Sequence, residues 1–514
     1  MQESIYSRPP APVRLADLLG LIGFLELSGP DPASLTAITI TADSRESGPG
    51  SLFVAIRGFV ADGHAFIDTA IRNGAVAVIC ETLPMHPVSG VLFILVADAR
   101  KALAEAARVF YAYASDRLML IGVTGTNGKT TTARLIAGML NAGGIPAAYI
   151  GTGLCRIGSR DILLERTTPE AHELQALFFG MLEEGCVAAV MEVSSHALVL
   201  DRVYALRFRC GVFTNLSVDH LDFHHTLDEY ARAKQFLFDQ LEPDGFAVIN
   251  SDDPYSAFMA SRVPEDRRFC CSMQPDSREM LSCGKRFSVS VKERKVIGTM
   301  LELHFPDETS ALQTELPGKY NAMNLLEAAA VGSGMGMTSG EVAEALRKPF
   351  SVPGRMERVW DEVTGRCGFV DYAHTPDALE KALCTLRELT TPPGRLVVVF
   401  GCGGNRDTTK RPLMGRIASD YADFVYITSD NPRNEDPETI LDAIEQGISG
   451  VSYKRISCRA DAIRQAVASL RSDDVLLVAG KGHETYQEIA GKKHYFSDQE
   501  MLRECFRDDR LTQG

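Results

Sequence analysis

The run Gly122-Val-Thr-Gly-Thr-Asn-Gly-Lys-Thr-Thr-Thr132 has the residue types and spacing of a phosphate cradle. A glycine-bearing turn lets backbone N–H groups approach an anion, and a helix starting directly after it adds its positive end. Lys129 is placed to reach the β- and γ-phosphates of a nucleotide, and the Thr130 hydroxyl to bind a magnesium ion. The strict form of such a loop has glycine five residues before Gly128, where this chain has Val123, so the loop is a variant. It points to a nucleoside triphosphate and leaves open what the energy drives.

Other reactive residues stand where apolar runs end. Glu192 closes the run Val187 to Glu192; beyond the carboxyl end of a strand a carboxylate suits a metal or a nucleotide, and equally a solvated strand end. Phe213-Thr-Asn-Leu-Ser-Val-Asp-His220 continues to His224 and His225 without any zinc spacing. His220 fits a magnesium ligand, a base or a satisfied polar residue. Lys234, in Tyr230-Ala-Arg-Ala-Lys-Gln-Phe-Leu-Phe238, lies on an amphipathic helix, and from the residues alone it reads as a solvated charge. Further on, Phe400-Gly-Cys-Gly-Gly-Asn-Arg-Asp407, Asp430-Asn-Pro-Arg433 and Gly480-Lys-Gly-His-Glu484 each follow an apolar strand. Three such turns would converge on one site. They carry a cationic fork, Arg406 and Arg433, and acceptors, Asp430 and Glu484, which suits a zwitterionic ligand.

The elements that must hold these residues are those of an α/β protein. Up to about residue 112, Ala37 to Thr41, Leu52 to Ile56, Ala75 to Ile79 and Leu92 to Val96 read as strands. Phe66 to Arg72 and Lys101 to Tyr113 read as helices. The phosphate loop follows a strand at Leu118 to Ile121 and precedes a helix through Ala133 to Leu140. Buried strands are predicted at Val187 to Glu192, Cys210 to Thr214 and Gly245 to Ile249, a mostly parallel sheet with helices on both faces. From Phe269 to Leu312 the alternation of apolar and polar residues predicts an antiparallel excursion. Two prolines and a glycine between Lys348 and Gly354 mark a boundary. Strands at Leu396 to Phe400, Phe424 to Thr428 and Val475 to Ala479 then predict a doubly wound, Rossmann-like unit. The expected domains are 1–112, 113–353 and 354–514.

With 514 residues the chain is too long for one core. Its net charge of −14 argues against nucleic acid as the main partner, since a phosphate backbone needs a basic face. The N-terminal residues lack a basic and apolar signal pattern, and the stretch Leu15 to Leu27 is too short to span a bilayer. Twelve cysteines without paired spacing suit buried thiols in a reducing compartment. A cytoplasmic location, without membrane insertion, is expected.

Together these motifs resemble the Mur ligase family along nearly the whole chain. The resemblance runs through Asp43-Ser-Arg45, Gly125-Thr-Asn-Gly-Lys-Thr-Thr131, Thr167-Thr-Pro169 and Met191-Glu-Val-Ser-Ser-His196. It continues through Asn215 to Asp222, Pro353-Gly-Arg-Met-Glu357 and Asp371-Tyr-Ala-His-Thr-Pro376. Within the family the chain is similar to the type that adds the third peptide residue to UDP-N-acetylmuramoyl-L-alanyl-D-glutamate in peptidoglycan precursor synthesis. Asp430-Asn-Pro-Arg433 is the tetrapeptide that accompanies meso-diaminopimelate there. The resemblance implies an ATP- and magnesium-dependent amide ligase acting through an acyl phosphate, and a monomer.

Site roles follow from the same resemblance. Gly125, Thr126, Asn127, Gly128, Lys129, Thr130 and Thr131 match the ATP site, with Arg355, Asp371 and His374 closing over the nucleotide. Thr130, Glu192, His220 and Lys234 match the metal site, Lys234 as a carbamylated lysine; Lys129, Glu192, His220 and Lys234 form the catalytic set. Ser44, Thr167, Thr168, Ser194 and Arg202 match the UDP-substrate site. Arg406, Asp430, Asn431, Pro432, Arg433, Gly480 and Glu484 match the diaminopimelate site. The chain departs from some relatives at Leu200, where they have glutamine, and at Val218, where they have arginine. The competing readings are another ligase on the same scaffold, of the lysine-adding or folylpolyglutamate-synthetase type, and a nucleotide-binding scaffold protein without catalysis.

Overall fold

Three sheets position the residues singled out above. The computed structural model describes residues 7–58, 61–274, 281–295, 298–348, 352–361 and 365–513. These form two compact units. One takes in the described residues up to Ser288 together with Phe305–Glu308 and Asn324–Ala345; the other takes in Val289–His304, Thr309–Met323 and the described residues from Leu346 on. Residues 349–351 of the expected boundary lie outside the described residues.

The first unit holds a five-stranded sheet and most of a larger one. The small sheet runs in the order Phe24–Ser28, Leu92–Val96, Ala75–Cys80, Ser51–Val54, Thr39–Thr41, with only the first strand antiparallel. In the large sheet Met119–Thr124 is flanked in parallel by Ala188–Glu192 and Phe208–Phe213. Ala147–Gly151 lies beyond the former, Leu241–Asn250 beyond the latter. All five residues of Ala188–Glu192 are buried, because neighbouring strands occupy both its edges and side chains pack on both its faces. Register sets the site: Glu192 pairs with Val123, and Phe213 with Thr124, so both neighbouring strands end level with the phosphate loop.

The antiparallel excursion expected from Phe269 to Leu312 is corrected in its first part. Arg268–Ser272 pairs in parallel with Leu241–Asn250, and Lys285–Lys295 pairs in parallel with it as far as Ser272↔Ser288. Alternation of apolar and polar residues reports that one strand face is covered; it carries no information about strand direction. An antiparallel hairpin does form later, from Gly298–His304 and Thr309–Thr314.

The second unit carries a six-stranded sheet in the order Glu357–Trp360, Cys367–Asp371, Val475–Ala479, Leu396–Phe400, Phe424–Ile427, Ser452–Arg455. All but the first are parallel. Asp371 pairs with Ala479, and the strands ending at Phe400, Ile427 and Ala479 are neighbours, so the turns that follow them meet at one end.

Candidate active site

The phosphate loop is held by residues from the next strand. Gly125 has φ +150°, and a Cβ there would lie 1.9 Å from Thr214 Oγ1; only glycine fits. Thr214 Oγ1 donates to Asn127 O at 2.6 Å, Thr126 N to Asn215 O at 2.9 Å, and Asn127 N to Asn215 Oδ1 at 2.9 Å. Gly128, with φ +85°, turns the chain into the helix Lys129–Ala142, whose first turn buries Thr130 and Thr131. Lys129 Nζ donates to Gly125 O at 3.0 Å and Thr126 O at 2.9 Å, and so lies over its own loop.

Lys234 corrects the reading of a solvated charge: it is 1% exposed. Thr226 caps the helix Leu227–Asp239 by accepting from Glu229 N. Its inward stripe is Tyr230, Lys234, Leu237 and Phe238, an i, i+4, i+7, i+8 series that places the lysine among core residues. Lys234 Nζ donates to Gly125 O at 2.7 Å and stands 4.2 Å from the centroid of the Tyr230 ring. Burial, reinforced by the nearby Lys129 charge, holds the amine well below the usual lysine range.

His220 has φ +54° and donates its N–H to Asp219 Oδ1 at 2.9 Å. Its ring lies edge-on to His196, with centroids 4.9 Å apart. Desolvation and the charges of Lys129 and Lys234, opposed by Asp219, lower its affinity for a proton. Burial, together with neighbouring imidazoles and cations, takes both His196 and His224 to about 4. His224 Nε2 is bonded to Ser195 Oγ at 2.9 Å.

Glu192 is fully buried. Its Oε1 accepts from Tyr149 Oη at 2.7 Å and Thr152 N at 3.0 Å, and its Oε2 from Thr152 Oγ1 at 3.3 Å. The UDP-substrate candidates assemble beside it. Thr167 Oγ1 lies 3.1 Å from Thr152 Oγ1, Thr168 Oγ1 donates to Glu192 O at 2.9 Å, and Ser194 N donates to Thr168 Oγ1 at 3.1 Å. Arg202 donates to Thr168 O at 3.2 Å and pairs with Glu170 at 3.0 Å. Ser44, in the turn that follows the strand Thr39–Thr41, accepts at its backbone O from Asn73 Nδ2 at 2.8 Å. Of the departures, Leu200 O accepts from Arg100 at 3.2 Å, and Val218 is exposed.

In the second unit the three strand-end turns do converge. A Cβ on Gly403 would stand 3.0 Å from Arg433 Nη1 and 3.9 Å from Arg406 Cγ, so both arginines flank that glycine. Arg433 takes φ +53° and donates to Gly404 O at 2.7 Å; Gly404 N donates to Asn431 O at 2.9 Å across Pro432. Asn431 Nδ2 donates to Glu484 Oε2 at 2.8 Å, and a Cβ on Gly480 would be 3.3 Å from Asp430 Oδ2. Asp371 accepts from Met356 N at 2.6 Å and Ala373 N at 2.9 Å. Burial pushes its carboxyl up despite Arg355 and these N–H groups. Arg355 stacks 4.6 Å from the Tyr372 ring centroid, and His374 O accepts from Lys410 at 2.8 Å.

Several contributors went unassigned in the sequence. Tyr149 and Thr152 hold Glu192, and Thr214 and Asn215 hold the loop. Thr132 Oγ1 donates to Asn324 Oδ1 at 3.2 Å and Glu327 Oε2 at 3.0 Å. The buried Arg459 donates to Ser429 O at 3.4 Å and Ala479 O at 2.9 Å, bracing two of the turns. One signal was readable: Thr214 and Asn215 follow a buried strand directly. The rest act through contacts distant in sequence.

Comparison with known proteins gives matches along the chain. The model of the Mur ligase family, catalytic domain, matches residues 38–111; that of the Mur ligase middle domain matches 123–332; that of the Mur ligase, glutamate ligase domain, matches 354–482. The chain is 57% identical over 496 residues to a UDP-N-acetylmuramoyl-L-alanyl-D-glutamate--2,6-diaminopimelate ligase of Chlorobium phaeobacteroides, covering 96% of this chain and 97% of that one. It is 41% identical over 471 residues to an enzyme of the same description from Clostridium acetobutylicum, covering 91% and 94%. A solved structure of such a ligase superposes with a TM-score of 0.68 at 32% identity, covering 97% of this chain and all of that one.

Proposed function

The chain belongs to the Mur ligase family, and on that premise we propose that it joins meso-diaminopimelate to UDP-N-acetylmuramoyl-L-alanyl-D-glutamate at the expense of ATP. What supports domains at 1–112, 113–353 and 354–514 is that the three matched stretches fall one inside each.

The substrate carboxylate is unreactive toward amines until an oxygen becomes part of a leaving group. Attack of that oxygen on the γ-phosphorus releases ADP and leaves an acyl phosphate. The amine of diaminopimelate then adds to the acyl carbon, loses a proton, and expels phosphate to leave the amide. Lys129 and the loop N–H groups offset the phosphate charge. Thr167, Thr168, Ser194, Arg202 and Ser44 hold the UDP-linked peptide.

Thr130, Glu192 and a carbamate on Lys234 are oxygen donors of the kind magnesium takes, while His220 offers an imidazole nitrogen. This ion takes oxygen ligands, keeps several waters and needs few protein carboxylates. Glu192 is a buried carboxylate paired in register with Val123 beside the loop, and Thr130 lies in the first turn of the following helix. Thr130, Glu192, His220 and a modified Lys234 would hold the ion, which when bound neutralises phosphate charge. Lys234 as an ammonium cannot ligate a cation, and as a neutral amine it offers nitrogen where magnesium prefers oxygen. Its buried nitrogen can add carbon dioxide, forming an N–C bond and losing a proton, to end in carboxylate-like oxygens.

The observation that carries the choice of amine is the convergence of Asp430, Asn431 and Glu484 with Arg433 and Arg406 around the three turns. It offers acceptors for an ammonium and a cationic fork for a carboxylate, which a ligand with an amino-acid group at its far end requires. A cytoplasmic monomer belongs to the same reading; every cysteine is a free thiol, and among the described residues no helix is long and apolar enough to cross a membrane.

The test is phosphate release by purified protein with ATP, magnesium and the UDP-muramoyl dipeptide. Release is expected with meso-diaminopimelate and far less with L-lysine. Equal rates, or a preference for lysine, would overturn the assignment of the amine.

A further inference from the structure

A fully buried cation stands among the candidate amino-acid contacts of the second unit. Lys481, the second residue of the Gly480-Lys-Gly-His-Glu484 turn, has no exposed surface. Its Nζ donates to Asn431 Oδ1 at 3.0 Å and to Glu484 Oε2 at 3.1 Å, and lies 3.6 Å from Asp430 Oδ1. Asn431 closes the triangle by donating Nδ2 to the same Glu484 oxygen at 2.8 Å. Asn431 Oδ1 also accepts from Glu488 N at 3.0 Å, which fixes which way the amide points. The Tyr486 ring covers the ammonium, with its centroid 5.5 Å away.

A lysine is buried at a cost unless its donors are met, and this one meets two carboxylates and an amide. Two carboxylates brought together from neighbouring turns repel each other unless a cation stands between them. Both Lys481 and Asn431 use Oε2 of Glu484, so the carboxylate is turned one way. Asp430 is 6% exposed, and its Oδ1 takes no hydrogen bond among the described residues. The cation thus binds Glu484 and Asn431 firmly and meets Asp430 at longer range.

We propose that Lys481 is a positioning residue for the amino-acid substrate, fixing the Glu484 carboxylate and Asn431 amide in the orientation that receives the ligand's amino-acid group. The proposal rests on the reading that this cluster binds diaminopimelate. Lys481 touches no substrate in this scheme; it acts through Glu484, Asn431 and Asp430.

Steady-state kinetics of full-length Lys481→Met and Lys481→Arg, varying each substrate in turn, test it. Lys481→Met is expected to raise KM for meso-diaminopimelate about tenfold or more, with KM for ATP and for the UDP-muramoyl dipeptide within about twofold of the parent. Lys481→Arg keeps the charge but puts a longer, planar fork where a compact ammonium is fully buried, which displaces its donors from Asn431 and Glu484, and is expected to raise the same KM about threefold. It decides the matter if the methionine variant does not fold. An unchanged KM for diaminopimelate in the folded variants, or an equal rise for all three substrates, overturns the positioning role. A parent protein that releases no phosphate in response to diaminopimelate would instead refute the function on which the proposal rests.

Discussion

Lys129 and Lys234 donate to one acceptor, the carbonyl oxygen of Gly125, at 3.0 and 2.7 Å. Two ammonium groups on one carbonyl repel each other, and the buried one yields its proton more readily. A carbamate on Lys234 would replace that repulsion with attraction. Protein equilibrated with 13C-bicarbonate is expected to give a carbamate carbon resonance that is absent from Lys234→Arg. Lys234→Ala is expected to lose turnover by at least about a hundredfold, without rescue by bicarbonate. Near-parental activity in that variant would refute the carbamate role.

Among the described residues, Tyr149 donates the shortest hydrogen bond to the buried Glu192 carboxylate, at 2.7 Å. Tyr149→Phe leaves the ring in place and removes that donor. A hydrogen bond to a charged group contributes about 1.5–3 kcal/mol, so kcat/KM for ATP is expected to fall about ten- to a hundredfold. Melting temperature should move little by comparison. A variant with parental kinetics would show that the orientation of Glu192 does not depend on this bond.

Burial raises the Glu327 carboxyl from 4.5 to about 8, against the pull of its bond from Thr132. Between those values the native state keeps a proton that the unfolded chain has released. Stability from this group is therefore complete below pH 4.5, is lost as pH rises through about 8, and changes no further above that. Glu327→Gln has no proton to release. Urea midpoints across this range should fall less steeply with pH in the variant than in the parent, and parallel curves would count against a protonated Glu327.

Arg459 and Asp498 form a bidentate pair with no exposed side-chain surface, at 2.7 Å through each nitrogen. Removing one partner of a buried pair strands the other charge, at a cost of about 3–5 kcal/mol. Arg459→Met is expected to lower the stability of the second unit by that order in chemical denaturation. Because Arg459 also bonds Ser429 O and Ala479 O, KM for diaminopimelate should rise in whatever folded protein remains. A loss well under 1 kcal/mol would show that the pair is replaceable.

Local sequence was enough for the phosphate loop, because a loop that cradles an anion is built from consecutive residues, and Gly125 and Gly128 are required by their own backbone angles. It was enough for most of the strands too, since a run buried on both faces, such as Ala188–Glu192, is apolar throughout. Strand direction after Phe269 was not legible: alternation records burial of one face and is the same for either direction. Lys234 was misread from its residues because a lysine is ordinarily solvated, although its place four residues after Tyr230 and three before Leu237 already put it on the inward stripe.

The sequence by itself determined which groups this protein has for chemistry and the strand ends that bear them. Tertiary structure decided what each group meets. Parallel register sets Glu192 level with the phosphate loop, and the Leu227–Asp239 helix buries Lys234 against Gly125 O. Neighbouring strands of the second unit bring Lys481 between Asn431 and Glu484, with Asp430 alongside. Charge state and orientation depend on distances between residues far apart in the chain, and burial and packing fix those distances only once the sheets have formed.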